Sequence, residues 1–234
     1  MRQVVLDTET TGLEPNMGHR VIEVGAVEMV NRKLTGRHFH EYINPERPID
    51  DGAQEVHGIT TEFLADKPLF SQIAPALVDF IRDADLVIHN AAFDVSFLNY
   101  EFGLLSQDMP QVEQICKITD SLLLARQKHP GQKNNLDALC RRYMVDNSQR
   151  ELHGALLDAE ILADVYLLMT GGQTSLFAGG QKTGESRDNG DQRRSLADID
   201  LPLVKAADRE VQEHEAYLDF LERKLGEQPI WRRA

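Results

Sequence analysis

The chain has 234 residues, 41% of them hydrophobic and 27% charged, which is ordinary for a globular protein with a sizeable core. Its formal net charge of −13 argues against broad electrostatic binding to a nucleic-acid backbone, and no apolar run approaches the length of a membrane span, so a membrane is not an expected partner. Met1 to Leu6 meets an acid at Asp7 and leaves no room for an export signal, and the two cysteines, Cys116 and Cys140, form no C-x-x-C pair; both features point to the cytoplasm.

Val4-Val5-Leu6-Asp7-Thr8-Glu9 reads as a short buried strand ending in two acids. Side chains alternate along a strand, so Asp7 and Glu9 share a face. Two carboxylates side by side at a buried strand end repel each other and lose hydration unless a cation lies between them, and hard oxygen ligands on a rigid strand suit Mg²⁺ or Mn²⁺. Residues 20–30 and 38–43 read as two further strands of an antiparallel meander. A loop with Pro45 and Pro48 leads to Glu55–Thr60, and residues 71–82 have a helical pattern with Ser71 as the expected N-cap. Leu86-Val87-Ile88-His89 is another short buried strand and runs into a helix, so Asp94 falls in a first helical turn after a strand, where α/β proteins place ligands. Residues 115–118 read as a last strand, followed by a helix capped by Thr119 or Asp120 and another capped by Asn135. Leu156, Leu157, Ile161, Val165 and Leu168 make the apolar side of a helix reaching about Met169; His153 and Asp158 can meet in one cleft at its N-terminal end. Strands first, then strands alternating with helices, indicate an α/β domain with a mixed sheet over residues 1–170.

The texture changes at Gly171. Residues 171–195 read as a flexible linker, because so few apolar side chains cannot offset the entropy of ordering. Residues 196–234 are expected to form a docking segment with a helix near 208–225, where Val211, Leu218, Leu221 and Leu225 share a face and Gly226 follows. In Gln173-Thr174-Ser175-Leu176-Phe177 an apolar pair has no core to enter, and it reads as a peptide placing Leu176 and Phe177 in a partner's pocket with Gln173 hydrogen-bonded nearby. Trp231, the only tryptophan, suits a buried interface anchor.

Taken together, Asp7-x-Glu9, then Asp94 after a strand, then His153 and Asp158 resemble the histidine branch of the DEDD exonuclease superfamily. Residues 86–94 and 152–159 look like that family's second and third motifs nearly residue for residue, and the resemblance, closest to proofreading subunits of bacterial DNA polymerase III, covers about residues 1–177 strongly and the tail loosely. It implies a ribonuclease-H-like fold and a metal-dependent 3′→5′ exodeoxyribonuclease that releases nucleoside 5′-monophosphates. Asp7, Glu9, Asp94 and Asp158 would hold two divalent cations, Mg or Mn, with His153 as general base for the attacking water. Gly154 would let the His153 ring swing. Backbone groups at Thr8 and Thr10 would meet the terminal 3′-hydroxyl, His57 the terminal base, and Asn90 would hold a phosphate or orient a ligand. The partners implied are a DNA 3′ end, the polymerase III catalytic (alpha) subunit bound through the C-terminal segment, a sliding clamp bound through Gln173, Leu176 and Phe177, and a small third subunit. An RNA-trimming exonuclease and a docking subunit with a vestigial site are the alternatives; a free-standing RNA trimmer has no need of such a tail.

Overall fold

The computed structural model describes residues 1–106, 108–150, 152–171, 207–226 and 228–232. Gln173, Leu176 and Phe177, with the linker from residue 172 onward, lie outside the described residues. The chain divides into two compact units, Met1–Gly179 and Gly180–Ala234.

The first unit is built on β1, Arg2–Thr10, at the centre of a five-stranded sheet. β2, Val21–Val30, and β3, Lys33–Tyr42, pair antiparallel on one side of it. β4, Asp85–Ile88, and β5, Lys117–Asp120, pair parallel on the other, giving the order β3-β2-β1-β4-β5. Val4 to Leu6 are all buried, because helices cover both faces of the sheet and a strand so enclosed runs as consecutive apolar residues. Alternation sorts the side chains into two cores. Val4 and Leu6 pack with α3, Phe70–Ile81, and α4, Ala91–Leu105. Val5 packs with α7, Leu136–Tyr143, and α8, Ala155–Thr170. Asp7 and Glu9 continue the alternation that begins with Val5, so they lie on the sheet face that α8 covers.

Four local assignments differ from the sequence reading. Residues to which the sequence reading gave no helix form α1, Asp51–His57, and α2, Thr61–Leu64; each buries a single side chain, His57 and Leu64, so neither shows an apolar period. The α3 cap is Leu69 rather than Ser71, and the Gln72 side chain accepts a hydrogen bond from Leu69 N at 2.8 Å. Val112–Ile115, partly read as strand, form the short helix α5, and β5 begins after it. β3 starts at Lys33, five residues early, because its first half is exposed at the sheet edge and carries no alternation; Asn31 and Arg32, both at positive φ, make the turn into it. Asp120 caps α6, Ser121–Lys128, and Asn135 caps α7, each through its side chain.

In the second unit, α9 spans Asp208–Leu225 and ends at Gly226 in the left-handed region. Leu218 is buried, while Val211, Tyr217 and Phe220 are exposed. Arg232, in the closing turn Ile230–Arg232, bonds to Glu215, Asp219 and Glu222 and ties that turn to α9.

Candidate active site

The C-terminal end of β1, the first turn of α4 and the first turn of α8 meet around one cavity of about 350 Å³. Asp7, Glu9, Asp94, Asp158 and His153 all line it. Three local features bring them there. At Asn90 the backbone adopts φ 68°, the left-handed conformation, which ends β4 and starts α4, so that Asp94 falls in the helix's first turn. Gly25, directly opposite Asp7 on β2, leaves room for α8: a methyl group there would overlap the backbone at Ala155 and Leu156. That close approach brings Asp158 to the strand end. His153 precedes α8, and its N–H donates to the Val56 carbonyl at 3.1 Å, fastening it to α1.

Thr8 Oγ1 donates to Asp94 Oδ1 at 2.7 Å, so its side chain positions a carboxylate and only its backbone is left for the contact expected of it. Thr10 Oγ1 turns back to the Gly12 carbonyl at 2.6 Å. His57 is buried, with Nδ1 accepting from Ile59 N–H at 3.0 Å, and it lines a second, largely apolar cavity of about 430 Å³ together with Glu9, Thr10 and Phe93. Asn90 is exposed at the rim of the first cavity. Trp231 is 74% exposed and belongs to the second unit.

Arg150, which nothing in the sequence singles out, sits inside the acid cluster with its side chain only 7% exposed. Nε and Nη2 bond to the two carboxylate oxygens of Asp158 at 2.5 and 2.7 Å. Nη1 reaches Asp137 Oδ1 at 2.8 Å, and Nη2 also reaches His153 Nδ1 at 2.9 Å. Arginine only donates, so His153 Nδ1 is the acceptor and a neutral ring carries its proton on Nε2.

The electrostatics divide the acids. Burial, then Asp94, Glu9 and Asp158 nearby, push Asp7 well above the usual carboxylate range. Burial, then Glu23 on β2, raise Glu9 to about 8. Burial raises Asp94 to about 7 despite the Thr8 hydrogen bond. Asp158 goes the other way: burial raises it, but the His153 ring beside it and the two hydrogen bonds from the Arg150 guanidinium more than offset that and hold it low. A group of acids that keep protons near neutrality is one that exchanges them for cations. The donor set fits a hard divalent ion, since ligand atoms of Glu9, His153 and Asp158 lie within 4.8 Å of one another and the remaining donors are carboxylate oxygens.

The chain matches the Exonuclease (RNase T) family model over residues 4–166. It is 53% identical to the DNA polymerase III subunit epsilon of Escherichia coli (strain K12), over 99% of this chain and 97% of that protein. It is 49% identical to that of Haemophilus influenzae, over 98% and 94%, and 47% identical to that of Rickettsia prowazekii, over 94% and 96%. Among solved structures, exonuclease X in complex with 5′-overhanging duplex DNA superposes with a TM-score of 0.58 at 25% identity, covering 73% of this chain and 92% of that one. The nuclease domain of 3′hExo, a DEDDh family member bound to rAMP, superposes with a TM-score of 0.62 at 21% identity, covering 72% and 90%. The latter likeness is one of fold: a mixed five-stranded sheet flanked by helices, as in ribonuclease-H-like exonucleases.

Proposed function

The chain belongs to the exonuclease family and, within it, to the DNA polymerase III epsilon subunits, the proofreading 3′→5′ exonucleases of replication, and from that premise we infer how its residues divide the work. Asp7, Glu9, Asp94 and Asp158 are assigned as ligands of two divalent cations, Mg²⁺ or Mn²⁺, in keeping with a family that uses divalent metals. Bound there, the cations would supply Lewis-acid activation of the water and neutralise charge on the phosphate. Thr8 holds Asp94 in its ligating orientation.

His153 is the general base. It takes the proton of the water whose oxygen attacks phosphorus; the P–O3′ bond breaks, its electron pair stays on O3′, which gains a proton from solvent to become the new 3′-hydroxyl, and a nucleoside 5′-monophosphate leaves a strand shortened by one residue. For that, a ring nitrogen must offer a free lone pair. Arg150 occupies Nδ1, so it must let go of His153 before proton transfer. The side chain of His153 is 45% exposed, which leaves it open to solvent and to an arriving strand.

The apolar cavity beside Glu9 is assigned to the terminal base, with His57 and Phe93 on its walls, and the backbone at Thr8 and Thr10 to the terminal sugar. Asn90, at the cavity rim, is assigned to a phosphate. Removing a mismatch asks for no sequence reading, only for a frayed end that costs less to unstack.

The domain plan proposed is an exonuclease domain over 1–170, a linker over 171–195 and a polymerase-docking segment over 196–234. Trp231 and α9 are assigned to the catalytic (alpha) subunit, which the exposure of Trp231 supports, and Gln173, Leu176 and Phe177 to a sliding clamp. A small third subunit on the domain surface completes the assembly, and the place of action is the cytoplasm; no described helix is long and apolar enough to cross a membrane.

The observation that carries this reading is the convergence of four carboxylates and His153 on one cavity from three separate elements. The purified chain is to be assayed on a 3′-mismatched primer with Mg²⁺, with Asp7→Ala as control. Release of mononucleotides by the wild type and none by the variant is expected; equal rates would place the chemistry elsewhere. RNA in place of DNA should be the poorer substrate.

A further inference from the structure

The net charge of −13 is not evenly spread. Between Ser121 and Tyr143 the chain carries five Lys or Arg side chains against only Asp137. This stretch, α6, α7 and the loop between them, forms one wall beside the acid cluster. A groove of about 420 Å³ runs there, lined by Arg126, Gln132, Asn134 and Leu122, and it shares His89, Asn90 and Asn135 with the acid-lined cavity. Among the described residues no carboxylate lines it.

The wall is rigid. His129 Nε2 and Tyr143 Oη are 2.7 Å apart, bridging the loop to α7. Arg142 donates to Asn134 Oδ1 at 3.0 Å and to the Lys133 carbonyl at 2.9 Å, and Asn134 Nδ2 donates to the carbonyls of His129 and Gln132. On this scaffold Arg126, which lines the groove, and Lys133, which stands in the loop between the lining residues Gln132 and Asn134 without lining the groove itself, are exposed, and neither side chain has an ion pair among the described residues. Asp120, the acid at the start of α6, is held by Leu122 N, Leu123 N and Ala91 N. Two unpaired cations and a row of amides on a fixed wall, continuous with a site that cleaves phosphodiesters, match a chain of phosphates spaced along a strand.

We propose that this groove is the track for the single-stranded nucleic-acid backbone upstream of the cleaved nucleotide, with Arg126 and Lys133 pairing with successive phosphates and Gln132 and Asn135 bonding to phosphate or sugar oxygens. It rests on the exonuclease reading of the acid cluster. An acidic protein thereby holds its anionic substrate through one local basic wall, while the rest of its surface repels nucleic acid and keeps the grip weak.

The test uses the full chain carrying Arg126→Glu and Lys133→Glu together, with Lys33→Glu, at the far end of the sheet, as the charge control. The substrate is a single-stranded oligodeoxynucleotide of about a dozen residues. Expected is a KM raised about tenfold or more at low salt, kcat nearly unchanged, and a slope of log KM against log salt reduced by roughly 1.4, the value for two lost phosphate contacts on a single strand. Arg126→Gln with Lys133→Gln should give a smaller shift in the same direction, and equal melting temperatures show that the fold is intact. If KM and salt slope match the wild type, or if Lys33→Glu has the same effect, the track is elsewhere. Hydrolysis of p-nitrophenyl thymidine 5′-monophosphate by the wild type, a substrate with no upstream phosphate, reports on the acid site alone. Wild-type activity there, together with an oligonucleotide KM in the double variant equal to the wild type's, overturns the track and leaves the exonuclease reading standing; no activity on either substrate overturns both.

Discussion

Arg150 grips Asp158 with two parallel hydrogen bonds, at 2.5 and 2.7 Å, in the middle of the acid cluster. The guanidinium is a cation within this cluster and draws the Asp158 carboxyl below its usual range, while burial pushes Asp7, Glu9 and Asp94 above theirs. The same group holds His153 Nδ1, so one side chain restrains both a candidate metal ligand and the candidate base.

Replacing Arg150 by alanine leaves a buried carboxylate without its partner, a change that usually costs about 3–5 kcal/mol. The melting temperature without divalent ions should fall by about 6 °C or more. Mn²⁺ should then raise the variant's melting temperature by more than it raises the wild type's, because the ion no longer competes with the guanidinium for Asp158. Identical Mn²⁺ responses in the two proteins would show that Arg150 and the ion do not share that ligand.

His153→Ala should lower kcat by about 10²- to 10⁴-fold, the usual contribution of a positioned base, while KM for a single-stranded end changes little. The variant should also lose the pH dependence of kcat that the imidazole imposes. Full turnover in His153→Ala would falsify its assignment as the base.

Two glycines make opposite predictions. Gly25→Ala puts a methyl group into the backbone of α8 at Ala155 and Leu156, so α8 must shift and carry Asp158 with it. A loss on the order of 1–3 kcal/mol in stability is expected, with a matching loss of Mn²⁺ affinity. Gly154 has an extended backbone, φ −150°, and open space around its Cβ position. Gly154→Ala should therefore keep stability; a large drop in turnover would support a glycine hinge that lets the His153 ring swing, and full turnover would count against it.

Stability without metal should depend on pH in a stated direction. A carboxyl whose folded pKa lies above its unfolded value stabilises the fold at low pH, and that contribution is lost as pH rises through the folded pKa. Asp94, raised from 3.8 to about 7, and Glu9, raised from 4.5 to about 8, both act this way. Asp158, held low, acts oppositely and loses its contribution only in acid, below the usual carboxylate range. Between about pH 5 and pH 9 the melting temperature should fall by about 4–8 °C for a net loss on the order of 2 kcal/mol. Mg²⁺ or Mn²⁺ should flatten the curve, since ligation needs the deprotonated acids. Calorimetry across that range, with and without the ion, decides it; a melting temperature that rises with pH in the absence of metal contradicts the proposed proton occupancy.

Much of this protein is written in local patterns. The period-two alternation along β1 sets Asp7 and Glu9 on one face, apolar runs mark β1 and β4 as enclosed strands, and Asp120 and Asn135 announce the starts of α6 and α7, because each of these depends on neighbours a few residues away in the chain. The order of acids and histidine was legible for the same reason, each lying at the end of an element whose period shows. Short α1 and α2 bury one side chain apiece and leave no period to read. What only tertiary structure decided are the meetings between distant segments: Thr8 with Asp94, Gly25 with the first turn of α8, Arg150 with Asp158 and Asp137. A lone arginine before a helix looks like any solvated surface charge, and it becomes the counter-ion of an acid cluster only when the sheet and three helices enclose it.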